Sequence, residues 1–229
     1  MNDSEIRRQL YPQLAGGVHI DELDTGATRA DVVHITSESM HCYELKGDGD
    51  TLKRAETQLF YYARAFDYVT FIVTERHQQR LQQMLPAWVG ITVASGAGLV
   101  PIRVAQVSPL RERGPLALLL LGSEIKQFLR GRGEKGLSKL RDFELSAWLT
   151  AADHIPLEEI SQYVRRQLIE RLPQRLRRRE VRRQLARDQR AARQANRQDL
   201  QQKMRQWEQD EPEWYAQHRA YYEAELARI

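Results

Sequence analysis

Cysteine is nearly absent from this chain: Cys42 is the only one in 229 residues. A single thiol excludes an internal disulfide framework and a cysteine-rich zinc site. Long apolar runs are missing too. The longest, from Leu116 to Leu121, falls far short of the ~20 residues a membrane-spanning helix requires. The first residues, Met1-Asn2-Asp3-Ser4, lack the basic stretch and apolar core of a secretory leader. These absences predict a soluble, cytoplasmic protein that does not engage a membrane.

What is present is a core-forming composition with an uneven charge. The chain is 41% hydrophobic and 29% charged, with a formal net charge of +4. Up to Ser108 there are 10 basic and 13 acidic residues, and beyond it 25 and 18, so the front is near −3 and the back near +7. An acidic front beside a basic back suits a metal enzyme that acts on a polyanion.

Pattern and punctuation divide the chain. Residues 3–14 read as a helix capped by Asp3 or Ser4 and bent or ended by Pro12. Val18–Ile20 reads as a short strand with Asp21 and Glu22 beyond it. Two strands follow, Ala30–Ile35 and His41–Lys46, joined by the polar connection Thr36–Ser39. Asp50 is expected to cap the next helix, whose buried face is Leu52, Ala55, Leu59, Ala63 and Phe66. Val69–Val73 is β-branched and apolar, as in a central strand. A polar helix near Gln78–Leu85 and strands at Gly90–Ala94 and Pro101–Val107 complete a mixed α/β domain over residues 1–108.

From Pro115 onward the strand pattern disappears. Helices are expected at Leu116–Leu129, at Lys139–Ala151 and from Pro156, forming a small helical domain over 109–172. Residues 173–229 form a third part. Ten arginines lie between Arg175 and Arg197, on a long solvent-facing helix, and the chain ends in an acidic, aromatic tail with Trp207, Trp214, Tyr215, Tyr221 and Tyr222. Arg175, Arg178, Arg179, Arg182 and Arg183 are candidates for nucleic-acid contact. The tail is of opposite charge and is expected to fold back over that arm. His34 and His41 stand on the two key strands as packed or solvent-facing side chains, because further zinc ligands are lacking.

The chemistry concentrates between Ala30 and Tyr62. Alternation puts Glu44 and Lys46 on one strand face and Leu45 on the other. A neighbouring strand that brings Asp31 alongside makes a cluster of two carboxylates and one ammonium. Two carboxylates held together invite a hard divalent cation.

Asp31 followed by Glu44-Leu45-Lys46 resembles the signature of the PD-(D/E)XK nuclease superfamily, the restriction-endonuclease-like fold. Gln58-Leu59-Phe60-Tyr61-Tyr62 matches the Q-x-x-x-Y helix motif of its RecB-like branch. More closely, Glu44 through Leu52 is similar to a poorly characterised bacterial nuclease-like family that reads E-I-K-S-D-x-D-T-L at this point. Ala30 stands where proline is common, and Gly47 where serine is. The resemblance implies a mixed sheet flanked by helices and an Mg²⁺-dependent nuclease, with Mn²⁺ as a substitute. Asp31, Glu44 and the Leu45 carbonyl would be metal ligands, Lys46 the catalytic lysine, and Gln58 and Tyr62 would steady the site or contact the DNA backbone. Glu22 is the first candidate for an added acidic ligand and Glu5 the second. The substrate expected is nucleic acid, DNA ahead of RNA, in repair, phage or mobile-element processing, or defence. Two alternatives stand beside this: an inactive nucleic-acid-binding protein, and an assembly component whose helical C-terminal half recruits a protein partner.

Overall fold

The structure is a computed structural model and describes residues 1–228. It contains a six-stranded mixed sheet with flanking helices and a helical C-terminal region, so the chain is α/β. The strands are β1 (Val18–Asp24), β2 (Arg29–Ile35), β3 (Met40–Lys46), β4 (Tyr68–Thr74), β5 (Gly90–Ser95) and β6 (Gly98–Arg103). They lie in chain order across the sheet. β1–β2–β3 is an antiparallel meander, β3–β4–β5 is parallel, and β6 returns antiparallel to β5. The parallel pairs need crossovers, which α2 (Ala55–Ala65) and α3 (Glu75–Met84) provide. β4 is central and its run is buried from Val69 to Thr74, as its apolar sequence requires.

Both faces of the sheet are covered. Val33, Cys42, Phe71 and Ile91 point into the larger core with Leu59 and Tyr62 of α2 and with Phe66, which follows it. Their neighbours Val32, Leu45 and Ile72 point the other way, against Ile6 and Leu10 of α1 (Asp3–Leu10). Leu45 therefore anchors β3 on one side while Glu44 and Lys46 are delivered to the other.

The larger core does not stop at residue 108. Leu116 of α4 (Arg113–Leu118), Ile125 and Leu129 of α5 (Gly122–Gly131), Leu145 and Leu149 of α6 (Asp142–Ala151), and Ile160, Val164 and Leu168 of α7 (Leu157–Asp210) belong to it. The expected separate helical domain over 109–172 is thus part of one compact unit, Met1–Leu172. Polar contacts join its parts. Ser108 N–H donates to the Asp67 carbonyl at 2.7 Å, the Asp67 side chain accepts from Met40 N–H at 2.7 Å, and Arg111 pairs with the same carboxylate. The Leu116–Leu129 helix is in fact α4 and α5, broken at Leu119–Leu121. β6 ends at Arg103, short of the expected Val107.

The second unit begins at Pro173, where the sequence changes character. Within it, α7 is exposed almost throughout residues 176–199. α8 (Pro212–Arg228) packs on the end of α7 through Trp207, which meets Trp214 at 5.6 Å and Tyr222 at 4.8 Å between ring centroids. Met204 and Tyr215 are buried there. The aromatic tail folds back as expected, but residues 180–199 stay exposed, so it does not cover that stretch of arginines. No helix among the described residues is long and apolar enough to cross a membrane.

Candidate active site

Asp31 and Glu44 face each other across β2 and β3. The register pairs Val32 with Tyr43 and Val33 with Cys42, which sets Asp31 opposite Glu44 on the larger-core face. Asp31 Oδ2 accepts from Leu45 N–H at 2.8 Å, so the carboxylate is fixed to the strand that carries its partner. Its other oxygen takes no hydrogen bond from the described residues. Burial first, and the Glu44 charge second, push its carboxyl up to about 7.

Glu44 is buried and surrounded by donors. Lys46 Nζ donates to Glu44 Oε1 at 2.7 Å and to Gln58 Oε1 at 3.0 Å. Gln58 Nε2 donates to the same Glu44 oxygen. Tyr62 Oη lies 2.9 Å from Glu44 Oε2 and 2.8 Å from the Arg29 carbonyl, so its single proton is within reach of both. Burial pushes the Tyr62 phenol well above its ordinary range. Lys46 is only 4% exposed, an uncommon environment for an ammonium, and its ion pair with Glu44 is what makes that burial tolerable. Gln58 and Tyr62, one helical turn apart on α2, present both polar groups to one carboxylate.

Local sequence explains this placement. Gly47 follows Lys46 where the strand ends, and a Cβ there would stand 2.7 Å from the Met1 carbonyl oxygen. A serine at this position would displace the N-terminal residues, which gives the departure from the resembled motif a steric cause. Asp50 does not cap α2, since its carboxylate accepts from Gly47 N–H at 2.8 Å and closes the turn. α2 begins later, at Ala55 after Arg54.

The two added acidic candidates stand elsewhere. Glu5 caps its own helix, accepting from Asn2 N–H at 2.7 Å. Glu22 lies within β1 rather than beyond a strand, between the pairs Asp21–Val32 and Leu23–Ala30. Its carboxylate pairs with Arg7 at 2.8 Å and Arg29 at 3.4 Å. Its backbone is left-handed, with φ +54°, the one such non-glycine residue among those described. Across it β1 changes parity: Ile20 and Leu23, three residues apart, both enter the larger core. Among the described residues no three His, Cys, Asp or Glu side chains are grouped to hold a metal ion. The carboxylates that could hold a metal here are the Asp31–Glu44 pair, and one or two carboxylates with several waters is a common Mg²⁺ environment.

Arg7 is the residue that the sequence left unread. From α1 it donates to the Asp31 carbonyl at 2.8 Å, while contacting Glu22 and, at 3.3 Å, Asp21. Its local pairing with Asp3 is visible in the i,i+4 spacing, but its reach to β1 and β2 depends on tertiary packing. His34 lies opposite both His19 and His41 in register. His41 is hydrogen-bonded to Thr70 at 2.8 Å and to Tyr43 at 3.1 Å, and burial lowers it to about 3. These histidines are packed, as the residues alone suggested.

Over residues 15–202 the sequence matches the family described as bacteriophage P4 protein cII. The chain belongs to that family. The matched span takes in Asp31, Glu44, Lys46, Gln58 and Tyr62 as well as the arginines of α7, and leaves out α1 and α8. The cII description names a phage protein and assigns it no activity. No curated protein matches the chain. A solved structure, the SPO1766 protein of unknown function from Silicibacter pomeroyi, is similar at 18% identity and a TM-score of 0.40, covering 61% of this chain and 98% of that one. A likeness at that level says nothing of what a cII-family chain does.

Proposed function

We propose that this cII-family protein is a divalent-metal-dependent nuclease of the PD-(D/E)XK type that hydrolyses phosphodiester bonds in DNA. One observation carries the reading. Asp31 and Glu44 are paired across adjacent strands, Lys46 Nζ sits 2.7 Å from Glu44, and Gln58 and Tyr62 both bond that same glutamate. Buried polar groups are costly, and four of them, with the half-buried Asp31, converge on one face of a sheet otherwise filled by apolar side chains.

Asp31, Glu44 and the Leu45 carbonyl would hold Mg²⁺ or Mn²⁺, and the ion when bound supplies phosphate polarisation and acidified water. The remaining work falls to side chains. Lys46 places a fixed positive charge where negative charge builds on the phosphate oxygens, and its Nζ orients an attacking water. Gln58 holds Lys46 and Glu44 in register. Tyr62 Oη fixes the second Glu44 oxygen and ties α2 to β2 through the Arg29 carbonyl.

A second reading, a nucleic-acid-binding protein that retains the fold without activity, is favoured by the hydrogen bonds already made by both Glu44 oxygens and by the absence of a third acidic side chain in the described cluster. The two separate in one experiment. Linear, circular and single-stranded DNA are incubated with purified protein and Mg²⁺, Mn²⁺ or chelator, beside Asp31→Asn. The nuclease reading expects cleavage that requires the metal and falls by roughly 10²-fold or more in the variant. DNA binding with no cleavage under any metal would replace it with the second reading.

A further inference from the structure

Residues of an α-helix turn by about 100° each, and α7 runs unbroken through the arginine-rich stretch to Asp210. On that wheel, nine of the ten arginines between Arg175 and Arg197 lie within about half the circumference, Arg177 alone standing apart. Glu180 and Asp188 fall on the other half, together with Val181 and Leu185. A helix built only for solvation would intersperse its charges so that acid–base pairs form at i,i+4. Here the spacing does the reverse. Arg178 and Arg182, Arg183 and Arg187, and Arg193 and Arg197 are like-charge i,i+4 neighbours, which destabilise an isolated helix. Arg178, Arg182, Arg183, Arg187, Arg190 and Arg193 are exposed, and no ion pair with another described residue neutralises them. Unrelieved repulsion along one face is what a bound polyanion would remove.

The dimensions select the polyanion. From Arg175 to Arg197 the stripe is about 33 Å long at ~1.5 Å per residue, close to the ~34 Å of one duplex turn. Nine guanidinium groups over that length give one per ~4 Å, against one phosphate per ~3.4 Å of a duplex strand. No aromatic residue occurs between Tyr163 and Trp207, so the stripe offers no stacking platform for unpaired bases. The opposite face has two large apolar side chains, Val181 and Leu185, between acidic and amide residues, too little apolar surface to insert into a lipid interface.

We propose that the arginine face of α7 is a docking surface for the phosphate backbone of duplex DNA. It extends beyond Arg183 to include Arg187, Arg190, Arg193 and Arg197. It reads no base sequence, since it meets phosphates alone. The surface stands apart from the catalytic reading, and each can fail without the other.

The full chain is titrated against a fluorescent 30-base-pair DNA duplex in chelator, by anisotropy, at several salt concentrations. Arg182, Arg183, Arg187, Arg190 and Arg193 are changed together to Gln, and in a second variant to Lys. Circular dichroism confirms that both retain helix. The Gln variant is expected to bind at least about tenfold more weakly at 100 mM salt, with a log–log salt slope shallower by up to about 4.5, at ~0.9 for each phosphate no longer neutralised. The Lys variant, which keeps the charge, is expected to retain most of the binding. An unchanged affinity and slope in the Gln variant overturns the proposal. So does tighter binding to a single strand of the same length, to an RNA duplex, or to phosphatidylserine vesicles than to the DNA duplex. Chelator prevents metal-dependent cleavage, so these results leave the nuclease reading untouched.

Discussion

At Asp31 two costs meet, burial and the charge of Glu44, and together they hold the carboxyl up to about 7. In the unfolded chain the same group titrates near 3.9. The folded state therefore binds the proton more tightly, and its stabilising contribution is complete below about pH 4 and lost as pH rises through about 7. Asp31→Asn keeps an acceptor for Leu45 N–H while removing the charge. In chelator at pH 8 it should raise unfolding stability, by at most about 1.4 kcal/mol for each unit by which the folded carboxyl stands above the unfolded one, a gain that shrinks towards zero near pH 4. Urea unfolding of both proteins across that range is the measurement, and loss of stability at pH 8 would contradict the electrostatic account of the pair.

Among the elements, those with the plainest periodicity were the most legible. β4 follows from Val69–Val73, and the buried face of α2 from Ala55, Leu59 and Ala63, flanked outside the helix by Leu52 and Phe66; all five are buried. Chain boundaries were less so. Asp50 has the chemistry of a cap, but Gly47 lets the chain close a turn first and delays α2 to Ala55. The kink at Glu22 carries no composition signal, because an acidic residue with positive φ is held by Arg7 and Arg29, which are distant in sequence. In the second unit, opposite charge suggested that the tail covers the arginines, whereas aromatic packing places it on Trp207 at the end of α7. Trp207→Ala should therefore release α8. Limited proteolysis is expected to cut between Glu211 and Arg228 several-fold faster than in the wild type, while the Met1–Leu172 unit keeps its unfolding midpoint. Equal protease resistance would show that other contacts hold α8.

Across the molecule, Met1–Leu172 is one compact unit. Its helices after residue 108 share apolar side chains with the sheet, which a reading by local pattern divides because strands give way to helices there. The candidate site was legible as a set of residue types, Asp31, Glu44, Lys46, Gln58 and Tyr62, and the fold brings all five together. Arg7 and the lack of a third grouped carboxylate were not, since both depend on long-range packing. The central claim is that this cluster cleaves DNA. Its most direct test is the initial rate of duplex DNA cleavage at matched Mn²⁺, comparing wild type with Lys46→Ala and Lys46→Gln, each confirmed folded by its unfolding midpoint. The account predicts a loss of roughly 10²-fold or more in both variants, with Mn²⁺ binding retained in the folded Gln form. Equal rates in wild type and variants would contradict it.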